Sequence, residues 1–403
     1  MILHRAAWVL PIAAPPLRRG WVLTDRNRIV TCGSGPEIPA HRDGRATKVV
    51  DLGEAVILPG LVNAHTHLEL SWMRDRVPPG DSMPAWASRL LALRRTADGD
   101  PAAPIADAIR QARAAGTSLV GDVTNSMAAY GLLADSDLGG AVFRELIGFS
   151  AEDPEHLVAR AQTELDVLQP APWLRASIVP HAPYSVAPDL LRAIARVAGD
   201  GRISVHVGES PEEIQFLRDG TGAWRELLEG LGAWNDRWTP PNCGPVEYLD
   251  RMGLVSSRLL AVHATQLADT ELAHLAAAGA AVVACPRSNR WTGAGAPPIE
   301  RFYASGVHVA IGTDSLASVE DLSVFGELAA VRRLAPSVPA ARLIQSATVV
   351  GAAALGFATE FGTIEEGKRA DLIAVRLPVG MEDVEEYLLS GIQPGEIRWL
   401  DSE

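Results

Sequence analysis

From Ala55 onward the chain alternates near-continuous apolar runs with amphipathic stretches, and the alternation repeats eight times. The apolar runs cover residues 55–65, 118–123, 141–148, 174–179, 202–207, 259–263, 281–285 and 307–312. Stretches such as 86–95, 106–115, 190–197 and 272–278 separate them with helical spacing of apolar residues. Strands that are apolar on both faces belong in a parallel sheet covered by helices. Eight βα units in a chain of this length predict an α/β fold of the (β/α)8 TIM-barrel type. A doubly wound open sheet is the alternative, and no Gly-rich dinucleotide or phosphate loop supports it.

The flanks have a different character. Residues 7–12, 20–23, 28–31 and 48–52 read as short strands, with loops at Gly33-Ser34-Gly35-Pro36 and Asp43-Gly44-Arg45. After the barrel, Gly362 to Lys368 and Ala370 to Val375 return to strand and turn patterns. The expected organisation is a small β-sandwich domain built from residues 1–56 and 356–403, with a catalytic barrel over 57–355 inserted between its parts. His4 and Arg5 before the apolar residues 6–16 faintly resemble a signal peptide. Pro11, Pro15 and Pro16 interrupt that run and no clean cleavage site follows, so a first strand of a soluble domain is expected.

Composition narrows the partners. Hydrophobic content of 47% with 21% charged residues describes a globular protein with a large core. A net charge of −13 argues against nucleic acid and anionic membrane as partners, and leaves a small molecule. No apolar run approaches the roughly 18 residues needed to span a bilayer. Cys32, Cys243 and Cys285 form no paired motif, which favours a reducing compartment and a cytoplasmic location. A homo-oligomer is left open.

In a (β/α)8 barrel, polar residues at the carboxyl ends of strands are the expected catalytic groups. The first strand ends in His65-Thr66-His67, followed by Glu69. Residues at i and i+2 of a strand share a face, so two histidines converge there, as a divalent metal with nitrogen ligands requires. The fourth strand runs into His181, the fifth ends in His206 with Glu209 just beyond, the sixth ends in His263, and the eighth runs into Asp314. Any one of these histidines alone reads as an ordinary core or surface residue. Five of the ten falling at one barrel mouth, with an aspartate on the last strand, points to a metal site. Asp314 has an alternative reading as a helix cap, and Glu209 as a neighbour of the cap of a helix near Pro211. A carboxylate at Glu209 is equally well placed to shuttle protons beside a metal. Zinc is the expected ion, and Fe2+ or Mn2+ accept the same ligand types.

Taken together, these residues resemble the amidohydrolase superfamily over nearly the whole chain. Pro59-Gly60-Leu61-Val62-Asn63-Ala64-His65-Thr66-His67 resembles its first-strand motif, and Gly362-Thr363-Ile364-Glu365-Glu366-Gly367-Lys368-Arg369-Ala370-Asp371-Leu372 its return to the β-sandwich. No lysine that could be carbamylated ends the fourth strand, so the resemblance implies the mononuclear deaminase branch. It implies His65, His67, His206 and Asp314 as metal ligands, Glu209 as the proton-shuttling acid, and His263 beside the reacting water with Asp314. Three segments, His65 to Ser71, His181 to Val186 and Cys285-Pro286-Arg287-Ser288-Asn289, look like those of the aminofutalosine deaminases on the futalosine route to menaquinone. Gly208 departs from many relatives, which carry alanine there.

The implied reaction is hydrolytic deamination of aminodeoxyfutalosine to futalosine and ammonia. Alternatives are deamination of S-adenosylhomocysteine, methylthioadenosine or another purine or pyrimidine, chlorohydrolase or amidase chemistry, or a non-catalytic paralogue. His181 would hold the nucleoside. Glu69, Trp86, Arg287 and Asn289 are the candidates for its sugar and benzoate-like tail. Trp86 has an alternative as core, and Arg287 as a salt bridge rather than a partner of a substrate carboxylate.

Overall fold

The run expected as one strand over residues 55–65 is two strands in two different sheets, broken at Gly60. In this computed structural model, which describes residues 1–35, 47–96 and 99–400, the Gly60 amide donates to the Asp371 carbonyl while Leu61 turns to that of Gly116. A side chain at position 60 would lie 2.7 Å from Ser118 Cβ and 2.8 Å from the Trp399 ring, so only glycine fits the crossing. The expected turn at Asp43-Gly44-Arg45, and Pro36 of the loop before it, lie outside the described residues.

Both ends of the chain build one seven-stranded sheet. Its strands from the N-terminal side are β1 (Ile2–Val9), β2 (Leu17–Asp25), β3 (Arg28–Ser34), β4 (Lys48–Asp51) and β5 (Ala55–Pro59). The first begins earlier than expected and takes in His4 and Arg5, because the segment pairs with β2, β4 and β5 at once and Pro11 lies just past its end.

Eight parallel strands follow: β6 (Leu61–Thr66), β7 (Thr117–Thr124), β8 (Gly139–Leu146), β9 (Leu174–Pro180), β10 (Ile203–Val207), β11 (Leu259–His263), β12 (Ala281–Ala284) and β13 (His308–Ile311). They hydrogen-bond as two four-stranded halves, β6 to β9 and β10 to β13. The seams close through short links at the carboxyl ends. His206 N donates to His181 O at 2.9 Å, Thr313 N to His65 O at 3.0 Å, and the Asn63 amide to Thr313 Oγ1 at 2.7 Å. The architecture is a (β/α)8 barrel. The chain then returns to the first sheet through β14 (Leu372–Arg376), antiparallel to β5, and β15 (Ile397–Trp399).

The outer helices follow from simple patterning. Helix Pro188–Val197 starts on a proline, whose missing N–H is harmless there, and buries Leu190, Leu191, Ala193 and Ile194 while Asp189 and Arg192 pair outside. Each buried leucine or isoleucine contributes about 1.5–3 kcal/mol relative to exposure. Inside the barrel, Val62, Leu119, Phe143, Val179, Val262 and Val283 form one cluster with Leu355, Phe357 and Phe361. The barrel is a packed core, so chemistry is confined to its carboxyl mouth. Among the described residues, no helix is long and apolar enough to cross a membrane.

Candidate active site

The strand ends bring His65, His67, His181, His206 and His263 together. Ring centroids lie 4.9 Å apart for His65 with His67 and with His206, 4.8 Å for His181 with His206, and 5.5 Å for His206 with His263. His67 Nε2 faces His206 Nε2 at 3.3 Å, and Asp314 Oδ1 stands 3.7 Å from His67 Nε2 and 3.9 Å from His65 Nε2. Both ring nitrogens of His65 are buried without a hydrogen-bond partner. Leaving such groups unpaired costs several kcal/mol by transfer estimates of roughly 2–7 kcal/mol per group. A shared cation bound by one of these nitrogens offsets part of that cost, and the nitrogens of His65, His67 and His206 are close enough to one another to ligate a single ion. His206 Nδ1 meets the His181 carbonyl at 3.0 Å, which leaves its Nε2 lone pair for the cluster. Burial first, then the neighbouring imidazoles, pushes the pKa of His65 and His206 well below the usual value, so both are neutral, the form that ligates. The donor set fits a divalent metal.

The backbone holding these groups is strained. Gly208, His263, Ala264 and Asp314 follow or end their strands with φ of +59°, +69°, +55° and +64°. For residues other than glycine this region costs about 1–2 kcal/mol each and persists only where surrounding bonds over-determine it. At Asp314 they do. Its amide donates to His65 O, its carbonyl accepts from Thr66 Oγ1, and its carboxylate accepts from Ser315 N and Ser288 Oγ. Asp314 thus belongs to the cluster, and the capping reading is set aside.

Glu209 is 1% exposed and faces His263, with Oε1 3.5 Å from His263 Nε2. Burial, then Asp314 and Glu213, raises its pKa well above the carboxylate range. The N-cap of helix Pro211–Asp219 is Ser210, so Glu209 does stand beside the cap, with its carboxylate turned to His263. Glu213, which the sequence did not single out, accepts the backbone N–H groups of Gly208 and Glu209 at 2.9 Å each and so fixes the turn that aims Glu209. Burial raises the Glu213 pKa to about 7. Burial likewise lowers His181 and His263 to about 4, leaving both neutral. Glu145 at the end of β8 was also missed. Its Oε2 accepts from Asn125, its Oε1 lies 3.7 Å from His206 Nδ1, and burial raises it to about 7. The charged pair Arg144-Glu145 at the end of an apolar strand was the available signal.

A cavity of about 280 Å³ opens above this floor. Met83, Trp86, Leu90 and Leu91 of helix Met83–Arg94 line it, together with Trp224, Leu227, Leu228 and Leu231 from the helix packed beside it. Glu69, Arg94, Asn125 and Glu145 make a polar edge.

The tail candidates separate here. Trp86 lines the cavity. Glu69 reaches its edge, but Thr124, Asn125, Ser126 and Arg94 already occupy its carboxylate. Asn289 bonds His263 Nδ1 at 3.2 Å and orients that ring without lining the cavity. Arg287 does not reach the cavity. Residues Pro286–Thr292 wind into a helix after β12, and the guanidinium is held by buried Glu327 at 2.7 Å, by Asp321 at 2.8 Å, and by the Asp321 and Ser323 carbonyls. Of the two readings of Arg287, the salt bridge is the one these contacts form, and its proposed place beside a substrate carboxylate is withdrawn. Its sequence neighbours could not reveal this, because the captors come from residues 321–327.

Comparisons with known proteins identify the family. The amidohydrolase family model matches residues 56–392. An aminodeoxyfutalosine deaminase of Deinococcus radiodurans is 34% identical, over 79% of this chain and 78% of that protein. A 5-methylthioadenosine/S-adenosylhomocysteine deaminase of Moorella thermoacetica is 28% identical over 100% of this chain and 96% of its own length. The crystal structure of an adenosine deaminase from Xanthomonas campestris with bound zinc superimposes with a TM-score of 0.80 at 28% identity, covering 98% of this chain and 90% of the other. The chain belongs to the amidohydrolase family.

Proposed function

We propose that this protein is a metal-dependent deaminase of an adenine-type nucleoside, with aminodeoxyfutalosine as its substrate and futalosine and ammonia as products. As an amidohydrolase it is a hydrolase acting on carbon–nitrogen bonds other than peptide bonds. The observation that carries the deaminase reading is the Glu209–His263 pair, 3.5 Å apart and buried beside the histidine cluster. His65, His67, His206 and Asp314 would hold one divalent ion, with zinc the first choice because the Xanthomonas campestris relative binds it. When bound there, such an ion lowers the pKa of a water molecule towards roughly 7 and supplies a nucleophile at neutral pH.

The chain's own groups do the rest. Neutral His263, whose Nδ1 accepts from the Asn289 amide, orients the attacking water through its Nε2–H, and Asp314 takes the water's proton. Glu209, whose burial favours the protonated carboxyl, donates a proton to the ring nitrogen beside the reacting carbon and later helps ammonia leave. The ring carbon gains the water oxygen and loses its amino group. Neutral His181, with Nδ1 tied to Ser185 Oγ at 2.6 Å, presents its other nitrogen to the substrate.

Support for aminodeoxyfutalosine comes from the Deinococcus radiodurans relative and from an apolar lining with two tryptophans that suits an aromatic tail. A role in menaquinone biosynthesis in the cytoplasm follows from that substrate. The second reading, methylthioadenosine or S-adenosylhomocysteine, is favoured by the Moorella thermoacetica relative and by the same apolar lining. An ammonia-release assay on aminodeoxyfutalosine, methylthioadenosine, S-adenosylhomocysteine and adenosine tests the choice. We expect kcat/KM above ~10⁴ M⁻¹s⁻¹ for aminodeoxyfutalosine, and at least ~10²-fold less for adenosine, which lacks the remote binding energy of the tail. A better rate with S-adenosylhomocysteine or methylthioadenosine overturns the substrate and leaves the deaminase chemistry standing.

A further inference from the structure

With Arg287 locked away from the cavity, the wall holds one permanently charged cation among the described residues, Arg94. It sits at the end of helix Met83–Arg94, with 37% of its side chain exposed, at the edge where the apolar lining meets the polar groups. Two acceptors fix its fork. Nη1 donates to Asn125 Oδ1 at 2.9 Å and Nη2 to Glu69 Oε1 at 3.3 Å. The Glu69 contact is the longer, and Glu69 is already satisfied by Thr124 Oγ1 at 2.9 Å, by the amides of Asn125 and Ser126 at 2.9 and 3.1 Å, and by Ser126 Oγ at 2.6 Å. The guanidinium is held in place with N–H groups to spare. Covering a cation with an uncharged apolar tail strips its water without return, whereas a carboxylate gives charge-assisted, often bidentate, hydrogen bonds.

We propose that Arg94 is the residue that reads the acid group of the substrate's tail, so that the site selects an adenine nucleoside carrying a flat aryl group that ends in a carboxylate. The inference rests on the substrate reading above and adds the residue that enforces it. The aryl ring packs on the apolar lining that holds Trp86 and Trp224, and its carboxylate meets Arg94 at the polar edge. Glu69 and Asn125 act through Arg94 as positioning residues.

The test is steady-state deamination by the metal-loaded wild type, Arg94→Gln and Arg94→Lys, with three substrates: aminodeoxyfutalosine, its methyl ester, and methylthioadenosine, which has no acid. The expected loss in kcat/KM for Arg94→Gln on aminodeoxyfutalosine is ~10–100-fold, the size of one charge-assisted contact. It should fall chiefly on KM. The loss should be at least ~10-fold larger than that on methylthioadenosine. Arg94→Lys should recover part of it. In the wild type the methyl ester should be penalised about as much as the substitution penalises the acid, and in Arg94→Gln acid and ester should be nearly equal. Equal losses on all three substrates would make Arg94 a structural support and overturn the proposal, as would an unchanged preference for the acid in Arg94→Gln. If the wild type itself prefers methylthioadenosine, the substrate reading fails in that arm, and this inference falls with it for a separately visible reason.

Discussion

In the first half of the barrel, His65 sits within β6, where the pairing with β7 shifts register between Asn63 and Thr66, and His67 lies just beyond it at φ −127°, so neither ligand needs a left-handed residue. In the second half, Gly208, His263, Ala264 and Asp314 all turn left-handed at the ends of their strands. The first half thus delivers its ligands on a strand with a local register shift and no left-handed residue. The second half delivers Glu209, His263 and Asp314 through stressed turns pinned by Glu213, Ser288, Thr66 and Asn289. Backbone precision is concentrated where protons would move, and substitutions that leave side-chain chemistry intact should matter more in that half.

The bluntest way to break this contrast is to remove a proposed ligand from either half. Alanine at His65 or His67, or at His206 or Asp314, should abolish most bound metal and nearly all turnover, because each gives one bond to the ion. Elemental analysis of the purified variants checks this, and full metal with full turnover in any one strikes that residue from the set. Next in size is Glu209→Gln, which keeps shape while removing proton transfer. Metal content should hold while kcat falls by at least ~10², and near-normal turnover would leave Glu209 without a proton to carry.

The smallest effects sharpen the contrast most. Gly208→Ala places a methyl 2.4 Å from Leu267 Cδ2 at φ +59°, and should destabilise by about 1–3 kcal/mol in urea unfolding. Ala264→Gly, at φ +55°, relieves a left-handed cost but removes a fully buried methyl and adds freedom to the unfolded chain, so the terms offset and stability should change by less than ~1 kcal/mol. A clear loss at Gly208 beside little change at Ala264 would show that the strain is real. A loss at Ala264→Gly as large as that at Gly208→Ala would show that it is not.

The eight barrel strands were legible because burial on both faces writes them as unbroken apolar runs. The same property hid the break at Gly60, where two buried strands abut with no polar residue between them. The histidines were legible because imidazoles are rare and strand ends are few. Glu213 and Glu145 were not, since a glutamate in a first helical turn or a strand reads the same whether it grips a backbone turn or meets water. The fates of Arg287 and Arg94 depend on partners distant in sequence, so which arginine faces the cavity is decided by tertiary packing.

The crossing at Gly60 also imposes an order of events on folding. The strand that presents His65 grows directly out of β5, and β5 is gripped on one side by β1 and on the other by β14, near the opposite end of the chain. Until that late strand has been made and has come home, the segment leading to the first ligand is anchored on one edge only. Closing a loop that spans most of the chain is slow compared with local helix formation. A half-made chain should therefore hold many barrel helices but no competent metal site, and the ion would be captured late, by a molecule whose two ends have already met.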